Sequence, residues 1–263
     1  MNRLRAFRRC VARMAYVLAM ISVSFIMPSA MASDELPKQV VFVGDTWCPY
    51  NCAETEEKKG ALVELLIEIL QRENIDLEYR VLPWTRALKD VSAGRIDGII
   101  GAGKADQQYA ALTDKPWLHA ELAALTHKEA GFRWNGIEGL LGKSVVVIAN
   151  YEYAEPLPAW LAANPSAVRY LHGENAFKQA VQMVLHRRQD IFFSSYPALH
   201  RHLHSAGLTE SLQVHRTGFK TPIFMAVTKH KPYSEKLLRV INSGFDRAVK
   251  NGKVAKLKAY YEL

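Results

Sequence analysis

The feature that most constrains this chain is an alternation of short apolar strands with amphipathic helices that occurs twice along the sequence. The first series begins at the strand-like segment 40–44, and the second begins with an apolar, β-branched segment at 143–150. Because a helix separates most consecutive strands and the connections are short, the strands of each series are expected to lie mainly parallel, with helices on the sheet faces. The sequence therefore predicts an α/β fold with two units, each a mainly parallel sheet flanked by helices.

The predicted elements follow apolar periodicity and the usual start and stop residues. A helix begins at Pro83 and ends at Gly94, for example. The predicted strands are 40–44, 75–82, 95–103, 117–128, 143–150, 189–195 and 221–230, and the predicted helices are 60–74, 83–94, 174–188, 196–207, 233–252 and 253–263. In open sheets of this type, ligands bind beyond the carboxyl ends of the strands. Residues that follow strand ends are therefore the first candidates for a site.

The first 32 residues have the composition of a secretory signal. Five arginines and no acidic residue lie within positions 1–13, positions 14–27 are nearly all apolar, and small residues stand at Ala30 and Ala32. This order predicts export and cleavage after Ala32, which would place the mature protein in the periplasm. An uncleaved N-terminal anchor is the alternative, although the apolar run is short for a membrane span.

Removal of this segment changes the charge balance of the chain. The full sequence has 34 basic and 26 acidic residues, and five of the basic residues lie in the signal, so 29 remain against 26. So small an excess gives no reason to expect nucleic-acid binding. Residues 33–263 are enough for one large or two small domains, each with its own core.

Two cysteines, Cys48 and Cys52, lie in the segment DTWCPYNC directly after the first strand, and the predicted mature chain has no other cysteine. An oxidising compartment favours a disulfide between them. Free thiols and a redox or metal site are the alternatives. Redox centres normally show C-x-x-C, and no further metal ligand lies nearby in the sequence. A disulfide would hold the turn that presents Trp47 and Tyr50.

Six sequence segments, in the same order, resemble the bacterial extracellular solute-binding proteins of family 3, the polar-amino-acid type. They are GALVELLIEIL, AGRIDGII, LTDKPW, LLGKSVVVI, RRQDIFF and the C-terminal LLRVINSGFDRAVKNGKVAKLKAYYEL, and they span nearly the whole predicted mature chain. The segments WCPYNC and PWTRAL further resemble a proteobacterial subgroup of that family, whose members are labelled transporter binding proteins. The order of the segments, rather than any single one, carries the resemblance.

The resemblance implies a two-lobed periplasmic-binding-protein fold of type II, in which two hinge crossings join the lobes and a ligand is clamped between them. The crossings are expected near residues 125–128 and 224–227. Lobe 1 would comprise 34–126 and 227–263, and lobe 2 would comprise 127–226. The implied function is capture of a small polar or aromatic solute by a monomer and its delivery to the permease of an ABC transporter. The alternative is a periplasmic ligand sensor that acts on a membrane signalling receptor.

Two departures from the family pattern concern the ligand. Members that bind amino acids carry an Arg after the glycine turn, in a T-x-x-R pattern, but this chain has GAGKADQQYAALTDK there, and Lys104 is only a point charge. Members also carry an Asp after the corresponding strand of the second unit, where this chain has Ser194 and Ser195 in DIFFSSYPA. The departures argue against an ordinary α-amino acid as the ligand.

The candidate ligand-binding residues follow the ends of predicted strands or the glycine turn. They are Asp45, Trp47, Tyr50, Trp84, Arg86, Lys104, Tyr151, Tyr153, Ser194 and Ser195. Aromatic side chains suit planar or apolar ligand parts, and a cation such as Arg86 or Lys104 would meet an anionic group. Several of them have a structural alternative: lobe packing for Trp47 and Tyr50, a surface or inter-helix salt bridge for Arg86, and a cap of the cysteine turn for Asp45.

An enzyme on the same scaffold, such as a dehydratase, is the third functional hypothesis, with Glu152 and Asp45 as acid and base. The sequence contains no G-x-S-x-G, no H-E-x-x-H and no phosphate loop, so a binding protein without enzymatic activity is predicted. His200 and His204 have the spacing of a metal pair on one helix face, but without a third ligand a solvated face is expected. No metal and no cofactor are predicted.

Overall fold

The computed structural model describes residues 35–263. The predicted secretory signal at 1–32, with its cleavage point after Ala32, lies outside the described residues. Within 35–263, the helices are too short or too polar to cross a membrane.

The elements of this range alternate largely as the sequence predicts. The strands are β1 (Gln39–Gly44), β2 (Asp76–Val81), β3 (Gly98–Ala102), β4 (Ala111–Leu112), β5 (Leu118–His127), β6 (Val145–Ile148), β7 (Val168–Leu171), β8 (Ile191–Ser195) and β9 (Leu212–Val227). The α-helices are α1 (Ala61–Gln71), α2 (Trp84–Ser92), α3 (Leu157–Ala163), α4 (Ala176–Leu185), α5 (Tyr196–Ser205), α6 (Ser234–Lys250) and α7 (Lys253–Tyr260). A short 3-10 helix, Lys104–Gln108, follows β3.

The strands join in the order β2-β1-β3-β9-β5-β8-β6-β7, with β4 beside β9. β1 pairs in parallel with β2 and β3, and β6 pairs in parallel with β7 and β8. The long strands β5 and β9 are antiparallel to each other and lie between these two parallel sets. We call β1–β4 with α1, α2, α6 and α7 lobe 1, and β6–β8 with α3–α5 lobe 2. The predicted two-lobed α/β fold, with mainly parallel sheets flanked by helices, is confirmed.

Strands β5 and β9 connect the two lobes. From Leu122 onward, β5 pairs with β8 of lobe 2 as well as with β9. A register shift between Glu121 and Ala123 marks this change of partner. On the other strand, Phe224 already pairs with β3 of lobe 1. The pairing of β5 therefore changes a few residues before the expected crossing at 125–128.

The first half of β9 was not predicted, because the sequence indicated a strand only at 221–230. β9 begins at Leu212, and in its first half the exposed residues Arg216, Gly218 and Lys220 alternate with less exposed ones. A ribbon with one solvated face has no continuous apolar run, so its sequence signal is weak.

Helix α3 and strand β7 were also not predicted. Pro156 is the N-cap of α3, and Pro165 opens the short 3-10 turn before β7. Proline is also typical of loops, so these prolines do not distinguish the start of a helical segment from a loop. β7 lies at the edge of the sheet with two exposed residues, Arg169 and Tyr170, so it lacks the apolar run of a central strand.

Each lobe has its own buried side chains on both faces of its sheet. In lobe 1, helix α1 lies against the sheet with Leu62, Leu66 and Leu70 fully buried among residues of α6. In lobe 2, Phe192 and Phe193 of β8 belong to different clusters because successive side chains of a strand point to opposite faces. The buried side chains of the two lobes therefore form separate clusters.

Candidate functional site

A cavity of about 60 Å³ lies between the lobes, beyond the carboxyl ends of β1, β3, β6 and β8. The residues predicted to bind a ligand that line it are Asp45, Trp47, Trp84, Tyr151, Tyr153, Ser194 and Ser195. The first three belong to lobe 1 and the other four to lobe 2. Topology brings them together, since each follows or ends a strand at the edge where the two sheets face each other.

Aromatic rings form much of the cavity wall. The ring centroid of Tyr151 lies 6.4 Å from that of Trp47 and 6.5 Å from that of Trp84, and the Tyr153 ring lies 6.4 Å from Tyr151. Tyr50 does not line the cavity: it is 1% exposed and stacks behind Trp47 with its ring centroid 4.2 Å away. Tyr50 therefore supports the wall from the core of lobe 1.

The cysteine turn holds Trp47 in place. Cys48 and Cys52 form the predicted disulfide, with their Cα atoms 4.4 Å apart. The backbone N–H of Trp47 also donates to the carbonyl of Asn51 at 2.8 Å. Glu56 lies close to the two sulfur atoms, but a disulfide leaves neither sulfur as a thiolate ligand for a metal.

Three carboxylates line the cavity. Asp45 accepts a hydrogen bond from the hydroxyl of Tyr151, and its removal from water raises its pKa to about 7. Asp106 is 6% exposed and accepts from the N–H of Gly103 at 2.8 Å. Burial, with a smaller contribution from the charge of Glu152, raises the pKa of Asp106 to about 6. Glu152 accepts from the N–H of Ala105 at 2.6 Å.

Asp106 and Glu152 were not among the predicted ligand-binding residues. Asp106 stands three residues after Gly103, at the position where an acid caps a helical turn, and this spacing was its only sequence signal. Glu152 lies between two tyrosines that were predicted to face the cleft, and it was considered only as a catalytic acid or base.

The two predicted cationic contacts, Arg86 and Lys104, lie outside the cavity lining. Arg86 pairs with Asp90 at 2.9 Å within α2, and its side chain is 62% exposed. Trp84 of the same helix faces the cavity, and a residue two positions later lies about 200° around the helix axis. Lys104 is exposed on the short 3-10 helix. Among the described residues, no Lys or Arg side chain lines the cavity.

Three consecutive residues of lobe 2, Asn150, Tyr151 and Glu152, contact lobe 1, and we call them the bridging segment. The side-chain amide of Asn150 donates to the hydroxyl of Thr85 at 2.9 Å. The Tyr151 hydroxyl donates to Asp45, and Glu152 accepts from the N–H of Ala105. These contacts hold the two walls of the cavity together, as expected of a closed form.

Three polar groups at the cavity have no partner among the described residues. They are the hydroxyls of Ser194 and Ser195 and the indole N–H of Trp47. Both serines are only 4% exposed. Buried polar groups in native proteins are normally hydrogen-bonded, so these three unpaired groups are candidate ligand contacts.

Replacing Ser194 or Ser195 with Ala is expected to raise the free energy of unfolding of the free protein by about 0.5–1.5 kcal/mol, because an unpaired buried hydroxyl is costly. Ser144→Ala is the matched control. Its hydroxyl donates to Asp190 at 2.8 Å, so its loss should lower that free energy. Urea denaturation of the three variants measures both the expected gain and the expected loss in the free energy of unfolding. A loss of stability in both cavity variants as large as in the control would show that their hydroxyls are already paired.

Comparison with solved structures gives matches over most of the chain. A histidine kinase sensor domain with similarity to periplasmic binding proteins matches with a TM-score of 0.73 and 18% identity, covering 85% of this chain and 95% of that chain. An ancestral arginine-binding protein bound to glutamine has a TM-score of 0.73 and 17% identity, with 86% and 99% covered. The ancestral amino acid-binding protein AncCDT-1, a precursor of cyclohexadienyl dehydratase, has a TM-score of 0.65 and 17% identity, with 85% and 95% covered. At these identities the likeness shows the fold alone.

A comparison with curated proteins gives no match. The profile of the bacterial extracellular solute-binding proteins, family 3, matches residues 40–262. This span covers nearly all of the described residues and agrees with the two-lobed fold and its interlobe cavity. The chain therefore belongs to family 3 of the bacterial extracellular solute-binding proteins.

Proposed function

We propose that the protein binds a small solute in the interlobe cavity and closes over it. The observation that carries this proposal is the set of unpaired polar groups, Ser194, Ser195 and the Trp47 indole, in an aromatic cavity between two lobes. Most small-molecule sites combine apolar walls with a few placed polar groups in this way. The bridging segment supplies contacts that form only when the lobes approach each other.

The hinge of this motion is proposed at the change of strand partners in β5 and β9. The register shift between Glu121 and Ala123 supports a crossing at Leu122, and Gly218 of β9 has φ near 79°, a conformation that glycine adopts easily. The lobe boundaries predicted at 126–127 and 226–227 would then move to about Leu122 and Gly218. Leu122 also lines the cavity, so the proposed hinge and the ligand are in contact.

The proposed biological role is capture of the solute in the periplasm and its delivery to an ABC transporter. Its support is the signal-like composition of residues 1–32 together with the family, which is named for extracellular solute binding. A sensor role is the second candidate, because one structural relative is the sensor domain of a histidine kinase. Co-purification of the tagged protein with a permease would support transport, and co-purification with a receptor kinase would support sensing.

A binding role without catalysis is proposed over an enzymatic one. AncCDT-1 is described as an amino acid-binding protein and as a precursor of a dehydratase, so a binding protein of this fold has given rise to an enzyme. In this chain Asp45 and Glu152 are engaged by Tyr151 and by the Ala105 N–H respectively, which occupies both candidate acid–base groups in the closed form. Incubation of the purified protein with a bound solute, followed by mass spectrometry, would detect a product if the enzymatic alternative holds.

The binding proposal is tested by a thermal-shift screen with amines, amino acids, aromatic acids and short peptides. A ligand at 100 times its dissociation constant stabilises the folded form by about 2.7 kcal/mol, so a hit is visible as a higher melting temperature. Trp84→Ala should remove the shift, whereas Arg86→Ala should keep it, since Arg86 lies outside the cavity lining. The proposal fails if no compound of any class raises the melting temperature.

A further inference from the structure

We propose that the ligand is a small organic cation, an amine or quaternary ammonium compound without a free carboxylate. This inference rests on the proposed binding function and narrows its ligand class. It is carried by three carboxylates, the aromatic wall and two unpaired hydroxyls, all of which meet in one cavity.

The ionisable carboxylates in the cavity favour a cationic ligand over an anionic one. Asp45, Asp106 and Glu152 line it, and within 35–263 no Lys or Arg side chain joins them there. A ligand carboxylate would enter among like charges with no cation to pair with, which is unfavourable in a site removed from water. A ligand ammonium group would instead neutralise carboxylates that lack a cationic partner.

Two backbone donors beside the cavity, the N–H groups of Gly103 and Ala105, are bonded to the protein's own carboxylates. An anionic group often binds to free N–H groups at the start of a helical turn. Here the N–H of Gly103 is bonded to Asp106 at 2.8 Å, and the N–H of Ala105 is bonded to Glu152 at 2.6 Å. The protein's own carboxylates therefore use two donors that could otherwise bind a ligand carboxylate.

The aromatic wall also favours a cationic ligand. The rings of Trp47 and Trp84 both lie close to Tyr151, with centroids 6.4 and 6.5 Å from it. Aromatic faces attract ammonium groups, and clusters of such rings bind quaternary amines in other proteins. Ser194 and Ser195 add unpaired hydroxyls, buried to more than nine-tenths, that can accept from a protonated amine.

The size of the cavity limits the ligand. A volume of 60 Å³ corresponds to about five water positions when each needs roughly 10–15 Å³. The closed cleft therefore fits a short amine, and a longer one requires a slightly wider separation of the lobes. A cation of a few heavy atoms matches both the acidic lining and the volume of the cavity.

The experiment compares each amine with its carboxylated parent, because the two differ only in the carboxylate. Calorimetry would measure the dissociation constants of agmatine and arginine, putrescine and ornithine, and tyramine and tyrosine, with choline as the quaternary compound. In at least one pair, or with choline, we expect the amine to bind at least ~100-fold more tightly than any amino acid in the panel. An amino acid that binds as tightly as the best amine overturns the ligand class and leaves the proposed binding function in place. Absence of binding by every compound, amino acids included, overturns both.

Carboxylate variants test whether the cavity makes this selection. Asp106→Asn and Glu152→Gln should each weaken amine binding by roughly 10-fold or more, since each removes a charge that faces the cation. Asp114→Asn is the matched control, because Asp114 is exposed and does not line the cavity. Equal amine affinity in the wild type and both cavity variants would place the cation elsewhere and would overturn the assignment.

Discussion

Asp45→Asn is expected to make the free protein more stable above pH 7 and to remove most of its affinity for an ammonium ligand. Burial raises the pKa of Asp45 from 3.8 to about 7. The folded protein therefore holds a proton on Asp45 that the unfolded chain releases at lower pH. The stability from this proton is fully present below about pH 4 and is lost as the pH rises to about 7. Asparagine is neutral throughout and avoids that loss.

The expected gain is about 1–3 kcal/mol in the free energy of unfolding at pH 8, and close to none at pH 4. Urea denaturation at both pH values measures it. Asp106, with its own raised pKa, contributes a similar loss in both proteins, so the difference between variant and wild type isolates Asp45. Asp114→Asn, at an exposed position outside the cavity, is the control variant. A variant that is less stable than the wild type at pH 8 would mean that the Asp45 charge is well solvated or paired.

Binding should change in the opposite direction to stability. The asparagine side chain can still accept from the Tyr151 hydroxyl, so the wall of the cavity is kept while its charge is lost. We expect amine affinity to fall by roughly 30-fold or more at pH 8. A site residue whose removal stabilises the protein is one whose conformation and charge serve the ligand rather than the fold.

The fold was largely predictable because its central strands and helices have strong apolar periodicity. Segments such as 60–74 and 189–195 are buried on one face or on both, and burial is what sequence patterns report. The first half of β9 and the edge strand β7 are partly solvated, so their sequence signals resemble those of loops. Backbone pairing in these strands, rather than apolar side chains, specifies the structure.

The site was predictable in location but less so in chemistry. Strand ends placed Asp45, Trp47 and Tyr151 correctly at one edge of the sheets. Arg86 was misplaced because position after a strand does not specify which face of the following helix a side chain occupies. Asp106 was not predicted because an acid that caps its own turn has no distinctive sequence pattern.

Gly103→Ala is expected to oppose closure of the lobes without unfolding either of them. A Cβ atom at Gly103 would lie 2.7 Å from the Cβ of Glu152 and 2.6 Å from its Oε2. The backbone of Gly103, with φ −91° and ψ 175°, is extended and suits alanine. The three atoms nearest to the added methyl group all belong to Glu152, in the bridging segment of the opposite lobe.

The expected result is a loss of ligand affinity of roughly 10- to 100-fold, since overpacking at a contact costs about 1–3 kcal/mol and here it is imposed only on the closed form. Small-angle X-ray scattering should show a larger radius of gyration with ligand present than for the wild type. Gly139→Ala is the control: its Cβ would meet the amide end of the exposed Asn135 side chain, which can move away.

A double variant tests whether the loss of affinity comes from the collision between the new methyl group and Glu152. Glu152→Gly in the Gly103→Ala background removes both the Cβ and the carboxylate that the new methyl group meets, so closure should return even though one cavity charge is lost. The two substitutions should then be strongly non-additive in binding free energy, as expected of residues in direct contact. If Gly103→Ala binds and scatters like the wild type, the contact between Gly103 and the bridging segment does not form in solution. Closure would then have to depend on Asn150 and Tyr151 alone.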